Sequence, residues 1–463
     1  MTSSSNRWIF LLAISYLMTL LINVYAAILL FVVTIIIYVF GVILENRKNR
    51  VYFFFAVSLT CAPLLLTKFS FLNMYLKANV LGTLGLSFYT LKALSYIIDI
   101  YRNKLKPEKH FGYYALYIAF VPQLFAGPID RPSTLIPQLK NPVALTAGRT
   151  YEGLIRVLWG LFQKIVVADR VAIVVNNIYL QPQNYIGLPL ILAMVLFSVQ
   201  IYADFSGYSN IAIGAARMLG INSTENFNRP YLAKSLQDFW TRWHISLSSW
   251  LRDYIYIPLG GNRVNFDRQS INILITFLAS GFWHGNGVTF VAWGLLHGLV
   301  LILSNLLKST SSVTASDRDW NQLWKYFAKI YNFLAVPITF SLVTVLWVFF
   351  RAPSLNDALY IVSHFYRGLG SVLKLLAAFK FEDFWHLLYS DGYGISEDIF
   401  ISTLFTVALF IILSFFIGNI QNQHLHDRSP LQRWTFYYVV VFMILFSMLF
   451  YNTQSVKFIY TRF

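Results

Sequence analysis

Charge is what this sequence has least of. Only 12% of its 463 residues are Asp, Glu, Lys or Arg, against roughly 25% in an ordinary soluble protein. Hydrophobic residues make up 57%, and the mean hydropathy is +0.58. Too few polar side chains remain to coat a globule, which excludes a disordered chain and argues against a water-soluble enzyme. Acidic residues are scarcer still, with 20 Asp and Glu facing 36 Lys and Arg for a formal charge of +16. In so apolar a chain this excess reads as positive-inside topology, not as a nucleic-acid surface. A single cysteine, Cys61, excludes an intrachain disulfide framework and a cysteine-built zinc site. It lies in the apolar stretch Leu59 to Leu66 with no base beside it, so an acyl-cysteine route lacks its activated thiolate. There is no GxSxG elbow and no HExxH pair, and no metal is expected. His424 and His426 fall in a polar stretch beside Asp427 and Arg428, where solvated side chains are the simpler reading.

What the chain has in abundance is apolar length. A helical span needs about 20 mostly apolar residues, and the 37 residues from Trp8 to Leu44 carry no charge. That run fits two helices with a tight turn near Asn23. Further runs lie near Val51–Thr67, Val80–Ile100, Phe111–Phe125, Leu154–Val175, Ile186–Met218, Ile271–Ser304, Phe327–Phe350, Ile399–Ile420 and Thr435–Tyr451. Together they predict a polytopic all-α membrane protein of about eleven spans. Val24-Tyr25-Ala26 imitates a signal cleavage site, but the apolar run continues past it, which favours a retained helix. Four prolines between Pro122 and Pro137 predict that the segment after Phe111 is broken. The polar stretch Lys308 to Lys325 reads as a loop between helices, and Ala352 to Glu397 as surface helices. Arg47, Lys48 and Arg50, then Arg102, Lys104, Lys106 and Lys109, and then Arg229 to Arg268 are placed on the cytoplasmic side. One membrane domain is expected over residues 1–463.

Polar residues inside such a chain carry the functional information. The segment from Asp238 to Tyr254 is dense in both polar and aromatic residues. Asp238 and Arg242 stand four apart, close enough to pair on a helix, and His244, Leu247 and Ser248 share a helical face. The plain alternative is an interfacial helix with Trp240, Trp243 and Trp250 as headgroup anchors. A second segment, Ser280 to Gly287, places His284 inside an apolar run, and an intramembrane histidine is a functional candidate by default. The neighbouring glycines allow a ligand or another backbone to approach closely. The alternative is a histidine bonded within helix packing, which is also the better reading of His297. Asp204, after a long apolar run, either orients a helix or lines a polar passage.

These segments together resemble the membrane-bound O-acyltransferase family, in its bacterial alginate O-acetylation branch. The resemblance runs in order through Gly85-Leu-Ser-Phe-Tyr-Thr90, Pro122-Gln-Leu-Phe-Ala-Gly-Pro128, Gln200-Ile-Tyr-Ala-Asp-Phe-Ser-Gly-Tyr-Ser209, Glu225-Asn-Phe-Asn-Arg-Pro-Tyr231, Arg242-Trp-His-Ile-Ser-Leu-Ser248, Leu251 to Arg263, Gly281-Phe-Trp-His-Gly285 and Trp293 to Gly298. The family-like core covers about residues 80–304. The resemblance implies a ring of tilted helices around a thin centre with a catalytic tunnel. It implies that His284 is the catalytic histidine and His244 the second one. Asp204, Trp283, Asn286, Arg242 and Arg252 become substrate-binding or tunnel-lining candidates.

The implied reaction moves an acyl group, expected to be acetyl, from a thioester to a hydroxyl. The donor would be acetyl-coenzyme A or another acyl thioester on the cytoplasmic side, with no bound cofactor. The acceptor would be a cell-surface polysaccharide outside a bacterial inner membrane, reached with the help of membrane or periplasmic partner proteins. Neutral imidazole is suited to take the hydroxyl proton. His284 is assigned that step, while His244 polarises the thioester carbonyl or positions the acceptor. Polytopic architecture by itself fits a transporter or flippase, or a non-catalytic scaffold of polysaccharide export, equally well.

Overall fold

In a computed structural model, the structure describes residues 6–68, 85–313, 320–370, 374, 377–378, 380–389, 395–417 and 429–450. His424, His426 and the first residues of the expected Val80–Ile100 span lie outside them. Among the described residues every regular element is helical, as expected. Among the described residues, seven helices are long and apolar enough to cross a membrane, from Val24–Asn46 to Pro430–Leu449.

The first apolar run divides at Asn23, where the turn is expected. Helix α1 covers Arg7–Ile22 and α2 covers Val24–Asn46. Asn23 between them has extended backbone, and its side chain accepts from the Ala26 N–H at 2.9 Å. That cap satisfies one of the amides a helix start leaves open. Along α1, α2 and α3 (Arg50–Lys68), Ser15, Thr19, Thr34 and Thr60 are buried, and each hydroxyl donates to the carbonyl four residues earlier. Polar side chains thus satisfy themselves inside the helix, which is what an apolar surrounding demands.

The chain divides into two compact units. The first comprises the described residues up to Gly160 together with Tyr208–Glu225. Its α4 (Leu86–Tyr101) begins after Gly85, where φ is +73° and a Cβ would stand 2.3 Å from the Leu124 carbonyl oxygen, leaving no room for a side chain. The expected break after Phe111 is present, as α5 (Phe111–Ala119) and the single turn α6 (Val121–Leu124). α7 follows at Pro132–Lys140 and α8 at Ala147–Leu161. Tyr96, Tyr114 and Tyr117 fill the centre. Lys92 is buried beside them, with Nζ 3.2 Å from Gln123 Oε1 and 4.8 Å from the centre of the Tyr117 ring. Arg156 closes this unit by gripping both oxygens of Glu225 and bonding Asn210 Oδ1 at 3.1 Å.

The second unit comprises Leu161–Gly207 and the described residues from Asn226 onward. It opens with a π-helical stretch, Phe162–Ala168, that runs into α9 (Asp169–Leu180). The long helix α10 (Leu188–Met218) supplies it with residues up to Gly207. The segment from Asp238 to Tyr254 is not one helix. It folds as α11 (Leu236–Arg242), α12 (Ile245–Leu251) and a π-helical turn, Arg252–Tyr256. The anchor reading of its tryptophans is also corrected: Trp243 and Trp250 are buried. Tyr202 of α10 and Trp347 of a later helix pack against Trp243, which composition does not reveal.

The expected Ile271–Ser304 run is a hairpin of α13 (Phe266–His284) and α14 (Val288–Val313). Helix α15 covers Trp320–Arg351. The expected loop from Lys308 to Lys325 is therefore shorter, since α14 and α15 extend into its ends. Polar residues continue a helix readily once it is nucleated, so polarity alone misplaced these boundaries. Short helices α16 (Leu355–His364) and α17 (Phe381–Leu388) follow, then α18 (Glu397–Ile417) and α19 (Pro430–Phe450).

Candidate active site

The site is built around a break between two short helices that a tight clasp holds in place. α11 starts at Ser235, whose hydroxyl accepts from the Asp238 N–H at 3.1 Å. Arg242 Nε meets Asp238 Oδ1 at 2.7 Å, the pairing expected from their spacing. The helix then stops. Trp243 is extended, and His244 takes up φ +43° and ψ +53° before α12 begins. A non-glycine residue in that region costs on the order of 1–3 kcal/mol and persists only where the surroundings enforce it.

The enforcement comes from residues 226–228. The Asn228 N–H donates to the Arg242 carbonyl at 2.9 Å, and the Ile245 N–H to the Asn226 carbonyl at 3.0 Å. The Asn226 side chain completes the clasp. Its Oδ1 lies 3.2 Å from His244 Nδ1, 3.2 Å from the Ser246 N–H and 2.8 Å from the Ser246 hydroxyl. His244 is 1% exposed. The Phe205 ring from α10 packs edge-on against its imidazole, with centroids 4.5 Å apart. Burial disfavours the imidazolium and pushes its pKa down to about 3, so the ring is neutral at physiological pH.

His284 arrives from another direction. It is the last residue of α13, and the chain turns through Gly285 to Gly287 into α14. The two helices approach backbone to backbone. A Cβ on Gly281 would stand 2.4 Å from the Phe290 carbonyl, and one on Gly294 would stand 2.4 Å from that of Phe277. Of the two uses foreseen for these glycines, this is the close approach of another backbone. His284 is 3% exposed, in a box of Trp283, Trp293 and Phe350 with ring centroids 4.8, 5.2 and 5.3 Å away. Trp283 also lies 6.1 Å from the His244 ring. One indole thus touches both buried histidines, which stand forty positions apart in sequence.

The other candidates separate. Asp204 is one residue before Phe205, but its carboxylate meets Lys164 Nζ at 2.7 Å. The same ammonium holds Asp169 at 2.7 Å. Asn286 sits exposed in the turn after His284. His297 is fully buried and packed by Trp240 and Trp293, but neither ring nitrogen has a hydrogen-bond partner among the described residues, so the packing is present and the expected bond is not. Arg252 pairs with Asp253 at 2.9 Å and lines a cavity of about 570 Å³ with Trp240, Ser248, Gln269, Phe277 and Ser280. Ser280 stands one helical turn before His284, is 1% exposed, and has a hydroxyl with no partner among the described residues. Asn226, Phe205 and Lys164 were not singled out in the sequence. Asn226 lay in view within the Glu225–Tyr231 motif, but its side-chain partner is eighteen residues away.

The model of the membrane-bound O-acyltransferase family matches residues 108–345, a stretch that includes both histidines. A probable alginate O-acetylase of Pseudomonas aeruginosa is 38% identical over 61% of this chain and 51% of its own length. The peptidoglycan O-acetyltransferase of Helicobacter pylori is 34% identical over 82% of this chain and 74% of its own length. The teichoic acid D-alanyltransferase of Bacillus subtilis is 28% identical over 68% and 82%. The chain spans about half the length of the alginate O-acetylases it matches.

Proposed function

Because this multi-pass membrane protein belongs to the membrane-bound O-acyltransferase family, we propose that it transfers an acyl group, acetyl in the first instance, from a thioester to a hydroxyl of a cell-surface polysaccharide. The observation that carries the reading is the pair of buried histidines, His244 and His284, each with its ring near Trp283. A hydroxyl attacks a thioester carbonyl only as its proton leaves, and a positioned base is typically worth about 10²–10⁴-fold. His284 takes that proton as the oxygen–carbon bond forms and the carbon–sulfur bond breaks, and the proton then passes to the departing thiolate. Aromatic walls exclude water, which would otherwise hydrolyse the donor.

The thioester donor enters through the cavity lined by Arg252 and Ser280. Arg252 at its rim suits a donor bearing phosphate groups, and Ser280 at its inner end lies a turn from His284. The basic stretch Arg229 to Arg268 then faces the cytoplasm of a bacterial inner membrane, and membrane or periplasmic partner proteins help the polysaccharide reach the site. The relatives act on different acceptors by name, so the polysaccharide is proposed only as a class.

The test uses purified full-length protein in liposomes with acetyl-coenzyme A and an alginate oligosaccharide or peptidoglycan fragment. Release of free thiol and acetylation of the acceptor are followed together. Wild-type protein should transfer, and folded His284→Ala should lose about 10²-fold or more. Transport of the oligosaccharide without any acetylation or thioester cleavage would instead make the protein a transporter, and full activity of His284→Ala would remove that residue from the chemistry.

A further inference from the structure

The orientation of the Asn226 carboxamide decides which nitrogen of His244 carries its proton. The Ser246 backbone N–H, 3.2 Å away, faces Asn226 Oδ1. A backbone amide only donates, so the atom it faces is the oxygen and not the NH2 group. The Ser246 hydroxyl donates to the same oxygen at 2.8 Å. His244 Nδ1 lies 3.2 Å from that oxygen, and an acceptor demands a hydrogen on its partner. The proton is therefore on Nδ1, and in the neutral ring the lone pair is on Nε2.

We propose that Asn226 is a positioning residue that locks this tautomer, and that His244 uses Nε2 to accept a hydrogen bond from a hydroxyl of the acceptor. The proposal rests on the acyl-transfer reading above and deepens it. A thioester carbonyl is polarised by a donor, and Nε2 in this tautomer has no hydrogen to give. A polyhydroxyl acceptor is a donor at every hydroxyl. Of the two tasks open to His244, the geometry points to holding the acceptor; removal of the reacting hydroxyl's proton stays with His284. The left-handed backbone at His244 serves the same end, because the Asn226 carbonyl fixes Ile245 while the Asn226 side chain fixes the ring. Burial supports this assignment by keeping the ring neutral.

Asn226→Ala removes the acceptor and releases the tautomer. Transfer by the full-length protein should fall about tenfold in kcat, the scale of one lost hydrogen bond, with KM for acetyl-coenzyme A unchanged. The decisive variant places Nδ1-methylhistidine at position 244 in the Asn226→Ala protein. The methyl group fixes the lone pair on Nε2 covalently and occupies space left by the carboxamide, so activity should recover. Nε2-methylhistidine in the same background should leave it at or below the Asn226→Ala rate. A residue that merely supported the turn would be helped by neither. Where Asn226→Ala is not recovered folded, Asn226→Ser retains a partner for the Ser246 N–H, and the same two methylated rings are compared on it. Undiminished transfer by folded His244→Ala would overturn the functional reading of that histidine. Impaired His244→Ala with normal Asn226→Ala, or no recovery with the Nδ1-methyl ring in a folded protein, would overturn the tautomer lock alone.

Discussion

Adding one methyl group at Gly281 should disable the site without touching either histidine. Its Cβ would stand 2.4 Å from the Phe290 carbonyl oxygen. Ordinary close C–H···O contacts begin near 3.3 Å, so α13 and α14 must part by about 1 Å. The contact is backbone on both sides, and no side-chain rotamer relieves it. Forcing such a seam open costs about 1–3 kcal/mol. His284 lies three residues further along the same helix, so the displacement carries straight to its imidazole. A misplacement of about 1 Å at a reacting group costs on the order of 10²-fold in rate. Gly281→Ala should therefore melt somewhat earlier than wild type and lose about 10²-fold in acetyl transfer while still eluting as a folded species. Gly294→Ala, facing the Phe277 carbonyl at the same 2.4 Å, should behave alike. Gly287→Ala is the control, because its nearest neighbour lies at 3.5 Å, and its stability should stay within about 0.5 kcal/mol. Initial rates in liposomes and fluorescence-detected melting of the three variants decide it. A Gly281→Ala protein with wild-type rate and melting would refute the close helix seam as the device that places His284.

Lys164→Met leaves Asp169 and Asp204 buried without their common cation and should cost about 3–5 kcal/mol. The triple variant with Asp169→Asn and Asp204→Asn should recover most of it, and equal melting of single and triple variants would contradict this. Trp243→Ala should cost about 3–5 kcal/mol as a core truncation. An exposed headgroup anchor would lose only about 0.5 kcal/mol, as surface substitutions do, so thermal melting separates the two. Cys61→Ser should keep its acyl transfer. In that background a cysteine at the exposed Asn262 should resist an impermeant thiol reagent in intact cells, and ready labelling would invert the assigned topology.

Much of the architecture was legible in the chain because bilayer-length apolar runs are a local property. The break at Asn23, the pairing of Asp238 with Arg242 and the interruption after Phe111 each depend on residues within a few positions of one another. His284 was also visible, since an ionisable ring in an apolar run is costly wherever the run folds, and His244 stood out within a dense polar and aromatic segment. What surrounds them was not. Trp243 read as an anchor because its sequence neighbours are polar, whereas Phe227, Phe239 and Trp347 enclose it in space. His244 read as a position on a helical face, yet the backbone leaves the helix there because residues 226–228 bond to its flanks. Asp204 stood between two roles until α9 and its π-helical approach brought Lys164 against it. The length of the uncharged apolar runs determined that the chain forms membrane helices and roughly where they lie. Only the tertiary structure decided which groups face His244 and the place of His284, because each depends on a directional contact measured in tenths of an ångström between residues distant in sequence.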